Sequence, residues 1–318
     1  MTKGYVAIDI GGTSVKWALM DEAGAIAERG QVPTAFTCAD ELIRALVEVA
    51  RPFCDRVAGV GVSAPGGIFE DDPDGTIHRG GALLYMDGVP LGRRLREALG
   101  VPAVVNNDGK CCALGEYAAG ALRGTRCGVV LAIGTGIGGG IVIDGRVLRG
   151  AHCFAGEFSF LNNDVSQTPS IERVFAGTSG WRGLRAMVLA EKGLVERDAP
   201  EIDGRVIFEW IAAGDAAARR GLERYCRLFD GWLVNLQAVL DPDVFAIGGG
   251  ISCHPELIAC MDEQMDEVLK GYAGGIAGMP RPRVRAAELG NDANLYGAVY
   301  ECRRVCEEWS RSGAVVAG

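Results

Sequence analysis

Leu131–Gly140 packs five glycines into ten residues, all of them directly after an apolar run over Val129–Ile133. The apolar run predicts a buried strand and the glycines a turn. Ile141–Ile143 predicts a return strand, and Asp144-Gly145 turns the chain again. Few folds accept so many glycines between two strands. They let the backbone approach a ligand closely, with successive N–H groups converging on one anion. Thr135 adds a hydroxyl donor at the tip. A glycine-rich hairpin with no ligand meets the same pattern, so the stretch alone leaves both readings open. Its uncharged part is too short and too rich in glycine to span a bilayer.

The pattern has an echo near the N-terminus. Tyr5–Ile10 predicts a strand, Gly11-Gly12-Thr13-Ser14 a turn and Val15–Met20 a second strand; Asp21 and Gly24 then turn into a third, Ala25–Gln31. Two copies of one hairpin suggest two similar half-molecules, each offering a phosphate cradle to a nucleotide between them. Asp9 sets a carboxylate beside the first cradle, the donor a hard divalent cation takes. Lys16 supplies a point charge for phosphate, or is a solvated lysine of an edge strand.

The chain has 318 residues, 48% of them hydrophobic, which suits two domains with sizeable cores. A net charge of -9 without a basic block argues against nucleic acid as a partner. No signal peptide or membrane-length apolar stretch is visible, and a cytoplasmic location is expected. The eleven cysteines then read as reduced thiols, most of them small buried hydrophobes. No Cys-x-x-Cys occurs, and Cys111-Cys112 falls on an expected helix, so nothing in the spacing supports a zinc site.

Periodicity predicts a helix over Asp40–Ala50. Val57–Val62 predicts a strand entering Ser63-Ala64-Pro65-Gly66-Gly67, a loop at a strand's C-terminal end, where open α/β sheets bind ligands. The acidic Glu70–Gly75 predicts a solvated loop without calcium-ligand spacing. After a helix over Leu91–Leu99, a strand over Val101–Val105 delivers Asn106-Asn107-Asp108-Gly109 to the sheet edge, and a helix follows over Lys110–Ala119. Asp108 reads there as a helix cap or as a reactive carboxylate between the two hairpins. Helices are expected over 179–192, 202–213 and 215–240, the last with Tyr225, Phe229 and Trp232 on a core face. A strand over Val244–Ile247 meets a third glycine turn, Gly248–Ser252, before a helix from Pro255, a junction suited to close approach of an adenine or ribose. Arg283–Ala287 predicts the last strand, followed by a helix to about Trp309 and a frayed tail, Ser312–Gly318.

Taken in order, these stretches resemble the ROK family of sugar kinases, within the actin-like (ribonuclease-H-like) ATPase superfamily. Asp9–Lys16 (DIGGTSVK) resembles the family's first phosphate motif, and Ser63–Gly66 (SAPG) its sugar loop. Asn106–Gly109, with Gly115-Glu116 beyond it, resembles the catalytic segment. Gly134–Gly140 is similar to the second phosphate loop, Ile247–Gly250 to the adenosine loop and Gly290–Gly297 (GNDANLYG) to the entry of the final helix. The resemblance implies a two-domain α/β actin-like fold. Its small domain covers 1–118 and is completed by a C-terminal helix over 291–310; its large domain covers 119–290. It also implies an ATP-dependent kinase in which Asp108 accepts the proton of a sugar hydroxyl. Gly66, Asn107 and Glu157 would meet the sugar, while Asp9 would hold Mg²⁺, usually through water. Gly12, Thr13, Lys16, Thr135 and Gly136 would face the phosphates, and Gly249 and Gly250 the adenosine. A homodimer is the family's habit.

The chain departs from the family pattern in places. Asn106 stands where a glutamate usually opens the catalytic segment. Phe158-Ser159-Phe160 follows Glu157 where many members have x-Gly-His, and their zinc-binding cysteine loop is missing, so no structural zinc is expected and Glu172 is an uncertain counterpart of a later sugar ligand. This pattern most resembles the β-glucoside kinases of the family, implying a hexose or β-glucoside phosphorylated at its 6-hydroxyl. The alternatives are an N-acylhexosamine or glucose kinase and a non-catalytic sugar sensor. Repressors of the family carry a helix-turn-helix ahead of the first motif, and only eight residues precede Asp9 here.

Overall fold

A computed structural model describes residues 4–81, 83–195, 197, 199, 201–272 and 278–312; the expected tail beyond Ser312 lies outside the described residues. The chain opens with β1 (Gly4–Ile10), β2 (Ser14–Met20), β3 (Ile26–Pro33), α1 (Ala39–Ala50), β4 (Val57–Ala64), α2 (Leu91–Leu99), β5 (Ala103–Asn107) and α3 (Asp108–Ala119). It continues with β6 (Cys127–Ile133), β7 (Ile137–Ile143), the two-residue β8 (Arg146–Val147), α4 (Phe175–Ser179), α5 (Trp181–Glu191) and α6 (Gly204–Ala212). The last elements are α7 (Ala216–Leu240), β9 (Val244–Gly249), α8 (Pro255–Lys270), β10 (Val284–Ala286) and α9 (Ala293–Ser312). No helix among the described residues is long and apolar enough to cross a membrane.

Two compact units form. The first takes the chain up to Arg123, then Gly145–Gly156, then the residues from Asn291; the second takes Gly124–Asp144 and Glu157–Gly290. In the first, the strand order is β3-β2-β1-β4-β5. β1 pairs antiparallel with β2 and parallel with β4, which pairs parallel with β5. β1 is buried along nearly its whole length, as a central strand covered on both faces must be. β3 carries Glu28, Arg29 and Gln31 along an exposed edge, where charge discourages pairing with another chain. One face packs Val6, Ile8 and Val62 against Leu42 and Leu46 of α1; the other packs Ala7, Ala18 and Met20 against Leu295, Val299 and Cys302 of α9. α9 also lies hard against α3: a Cβ on Gly297 would overlap the Cys111 carbonyl oxygen.

The second unit repeats this plan. β6 pairs antiparallel with β7 and parallel with β9, which pairs parallel with β10. Thus β7-β6-β9-β10 has the connectivity of β2-β1-β4-β5. Its core joins Leu131, Ile133 and Phe245 to Leu222, Tyr225, Phe229 and Leu233 of α7. The α7 aromatics Tyr225 and Phe229 are core, as their spacing predicts.

Several boundaries differ from the sequence expectation. β7 begins at Ile137, so Gly138–Gly140 belong to the strand, and the turn shrinks to Gly134–Gly136. Gly139 has φ +146°, and a side chain there would collide with the Val130 carbonyl oxygen across the ladder. That glycine answers a packing demand between strands. β5 extends two residues further than expected, to Asn107, and α3 starts at Asp108. Asn107, rather than Asp108, is the N-cap, its side-chain oxygen accepting from Lys110 N at 3.2 Å. The helix expected over 179–192 is α5, starting at Trp181; Gly180, with extended backbone, separates it from the short α4, which the sequence expectation does not include.

Candidate functional site

In the first unit the candidate residues collect at the C-terminal edge of the parallel strands. Asp9 on β1, Ser63 on β4 and Asn106 on β5 are register neighbours across the sheet. Asp9 is buried, and its Oδ1 accepts from Ser63 Oγ at 2.8 Å and from Asn294 Nδ2 of α9 at 2.9 Å. Neither partner was singled out from the sequence: Ser63 lies within the sugar-loop motif and Asn294 within the final motif, but nothing local ties either to Asp9.

The turn after β1 is Gly11-Gly12-Thr13, with Gly12 and Thr13 exposed. It is held from β3's end, since Thr34 N donates to Thr13 O at 3.0 Å and Thr34 Oγ1 to Gly11 O at 2.8 Å. Lys16 pairs with Asp9 in the β1–β2 register, so both side chains leave the same face.

Asn107, Asp108 and Gly66 come directly together. Asn107 Nδ2 donates to Gly66 O at 2.9 Å and to Asp108 Oδ1 at 3.0 Å, and Gly109 N donates to the same Asp108 oxygen at 2.7 Å. The Asp108 carboxylate therefore sits in the first turn of α3, where the helix dipole and exposed N–H groups favour negative charge. Both Asn107 amide protons are engaged within the protein, which leaves its carbonyl oxygen as the atom with further capacity. On the same helix, burial pushes the Cys111 thiol well up, and Glu301, Asp9 and Asp108 add to the effect. Cys111 is fully buried and packs as a small core side chain.

In the second unit, Ile133 is in register with both Ile137 and Gly249. The turn Gly134-Thr135-Gly136 and the turn after β9 therefore leave one edge of the sheet side by side. Gly134 and Thr135 are exposed and Gly136 half-buried. Gly134 O accepts from Trp181 N at 3.0 Å, and Ser159 Oγ accepts from Ile137 N at 2.9 Å and donates to Ile137 O at 3.0 Å. Glu157, half-buried, opens the short 3-10 turn Phe158–Phe160 that carries this serine. Gly249 and Gly250 are exposed; Ser252 Oγ donates to Gly249 O at 2.8 Å. Phe158 is core, whereas Phe160 is 58% exposed. Glu172 is exposed, and its carboxyl is held below the usual range by a hydrogen bond from Ser170.

A magnesium ion fits the donor set at Asp9. One oxygen is fixed by two donors, while Oδ2 has no protein partner and no cation within ion-pair distance among the described residues. Mg²⁺ is held in this manner by one carboxylate, waters and substrate phosphates. No group of three or more His, Cys, Asp or Glu side chains suited to a metal occurs among the described residues. Cys153, close to His152 in sequence, turns its thiol to Ile68 O at 3.0 Å.

The sequence model of the ROK family matches residues 5–304. The chain belongs to the ROK family. It is 32% identical over 299 residues to the bifunctional enzyme NanE/NanK of Brucella melitensis, covering 92% of this chain and 52% of that protein. The chain thus spans about half the length of that relative. It is 30% identical to the β-glucoside kinase of Klebsiella pneumoniae, over 92% of this chain and 94% of the relative. Among solved structures, a ROK family glucokinase of Streptomyces griseus in complex with glucose and AMPPNP superposes with a TM-score of 0.74 at 25% identity, covering 95% of this chain and 99% of that one. The fold is accordingly that of the ROK sugar kinases, the actin-like ATPase fold.

Proposed function

We propose that the chain is an ATP-dependent carbohydrate kinase that phosphorylates a hexose or β-glucoside at its 6-hydroxyl, with Asp108 as the base. The observation that carries this reading is the tethered Asp108–Asn107–Gly66 cluster at the junction of β5 and α3. Phosphoryl transfer needs little covalent help from the protein; it needs the nucleophile and phosphates positioned and one carboxylate within reach of the attacking hydroxyl. In the proposed step the sugar oxygen bonds the γ-phosphorus of ATP while the bond to the ADP oxygen breaks, and Asp108 takes the hydroxyl proton. Gly66, Glu157 and the Asn107 carbonyl orient the sugar. The N–H groups of Gly12, Thr13 and Gly136, with Thr135 and Lys16, receive the phosphates, and Gly249 and Gly250 admit the adenosine. Asp9 is the residue for Mg²⁺, which when bound neutralises phosphate charge. The ATP analogue and glucose bound by the Streptomyces griseus relative support this assignment of ligands. A homodimer in the cytoplasm, free of structural zinc, completes the proposal; elemental analysis finding one zinc per chain would overturn the last point.

The β-glucoside preference rests on Phe160. A histidine that bonds hydroxyls near the anomeric end penalises a sugar whose anomeric oxygen is blocked, because a buried polar partner goes unpaired. Phe160 imposes no such demand. Its exposure distinguishes it from Phe158, which fills core space. An exposed ring offers a face for a second sugar. An ATP-coupled activity panel over glucose, N-acetylhexosamines and β-linked disaccharides tests the reading, with product linkage assigned by NMR. Cellobiose should match or exceed glucose in kcat/KM. Turnover confined to free glucose or an N-acetylhexosamine removes the β-glucoside preference and leaves the kinase; no turnover of any sugar removes the kinase as well.

A further inference from the structure

Three elements distant in sequence converge on one oxygen. Ser63 lies 54 positions from Asp9 and Asn294 lies 285 positions away, yet both donate to Asp9 Oδ1. Ser63 is fully buried and Asp9 nearly so. A buried carboxylate with no cation beside it is costly unless hydrogen bonds compensate it. Here two donors compensate one oxygen only. Oδ2 has no protein partner among the described residues, and it is absent from the buried, orphaned polar atoms, so it reaches solvent.

We infer that Ser63 and Asn294 are positioning residues that lock the Asp9 carboxylate so that Oδ2 faces the cation of a metal–nucleotide complex. The inference rests on the kinase reading for the identity of that complex. Two donors on one oxygen stop the carboxylate from rotating about its χ2 bond, a torsion that is otherwise broad. They also withdraw Oδ1 from competition, so the carboxylate offers a single oxygen, as a water-rich Mg²⁺ shell requires. The donor on α9 is set by packing. Gly297, one helical turn beyond Asn294, lets the helix lie against the α3 backbone at Cys111. Outer partners of this kind usually change metal affinity by about 10–100-fold when removed.

The test uses the full chain and Mn²⁺ as the probe, read by electron paramagnetic resonance with a non-hydrolysable ATP analogue. Ser63→Ala and Asn294→Leu each remove one donor from a different element, and thermal unfolding checks that each variant is folded. The expected result is Mn²⁺ affinity weakened at least tenfold in either variant, while the analogue binds unchanged without metal. In turnover assays the Mg²⁺ concentration for half-maximal rate should rise by a similar factor, with the KM for sugar unmoved. Folded variants that keep wild-type Mn²⁺ affinity would overturn the inference while leaving the kinase reading intact. Weakened Mn²⁺ binding in a protein that phosphorylates no sugar would sustain the inference and remove the kinase reading.

Discussion

The two units carry the same four-strand plan, yet they use their glycines and buried carboxylates for different ends. In the first, the turn is short and open: around Gly12 no atom lies within 4 Å of where a Cβ would stand. In the second, the longer glycine run divides between a three-residue turn and the strand β7, where Gly139 is forced by the approach of Val130. The carboxylates differ as sharply. Asp9 is buried with two donors on one oxygen. Asp230, on α7, is fully buried with neither oxygen partnered, and its burial pushes its pKa up to about 9. Repeated topology therefore does not mean repeated chemistry. A chain can keep a scaffold and change the reason for each small or charged residue on it.

The largest expected effect divides the units by function. Asp108→Asn, in the first, should lower kcat by about 10²–10⁴-fold with sugar affinity nearly kept, because the amide cannot take a proton at neutral pH. Steady-state kinetics and sugar titration measure this, and near-normal turnover would reduce Asp108 to a fold residue at the start of α3.

Next comes the contrast between glycines. Gly139→Ala meets a backbone oxygen in a conformation L-residues rarely adopt, and should destabilise the chain by about 3 kcal/mol. Gly12→Ala meets nothing and should stay within about 0.5 kcal/mol of wild type. Denaturant unfolding of both compares them directly; equal losses would refute the distinction between packing glycine and open glycine.

Asp230 sharpens the carboxylate contrast through pH. Its folded pKa lies near 9, above that of an unfolded aspartate. The native state therefore binds the proton more tightly, and stability falls as pH rises between those two values. Asp230→Asn removes that dependence. Between pH 5 and pH 8 the variant should gain about 4 kcal/mol relative to wild type, one proton's worth at roughly 1.4 kcal/mol per pH unit, seen as a higher melting temperature at pH 8. Parallel pH profiles for the two proteins would show that Asp230 does not titrate this way.

The smallest effect concerns Thr135→Ala in the second unit. Loss of the hydroxyl proposed to face the phosphates should raise the KM for ATP by about fivefold, with kcat nearly unchanged. A collapse in kcat would place Thr135 among the groups that act on the transition state.

Legibility followed the range of the interaction. The β1–β2 and β6–β7 hairpins, the α1 stripe and the aromatic face of α7 were readable because period and burial repeat within a dozen residues. The turn boundaries were less so. Glycine marks a turn, a bulge or a close approach equally well, and only the position of Val130 decides which one Gly139 serves. The cap of α3 fell to Asn107 because β5 runs two residues further than its apolar stretch, carrying polar residues at the sheet edge.

By itself the sequence determined the two repeated hairpins, the order of the glycine turns and membership of the ROK family, since these rest on local patterns and their succession. Only the tertiary structure decided that Ser63 and Asn294 share one oxygen of Asp9, that Asn107 ties Asp108 to Gly66, and that Asp230 is left without a donor. The physical reason is that a hydrogen bond depends on a few tenths of an ångström between atoms from separate elements. Such distances are set by how β1, β4, α3 and α9 pack, and no local period encodes them.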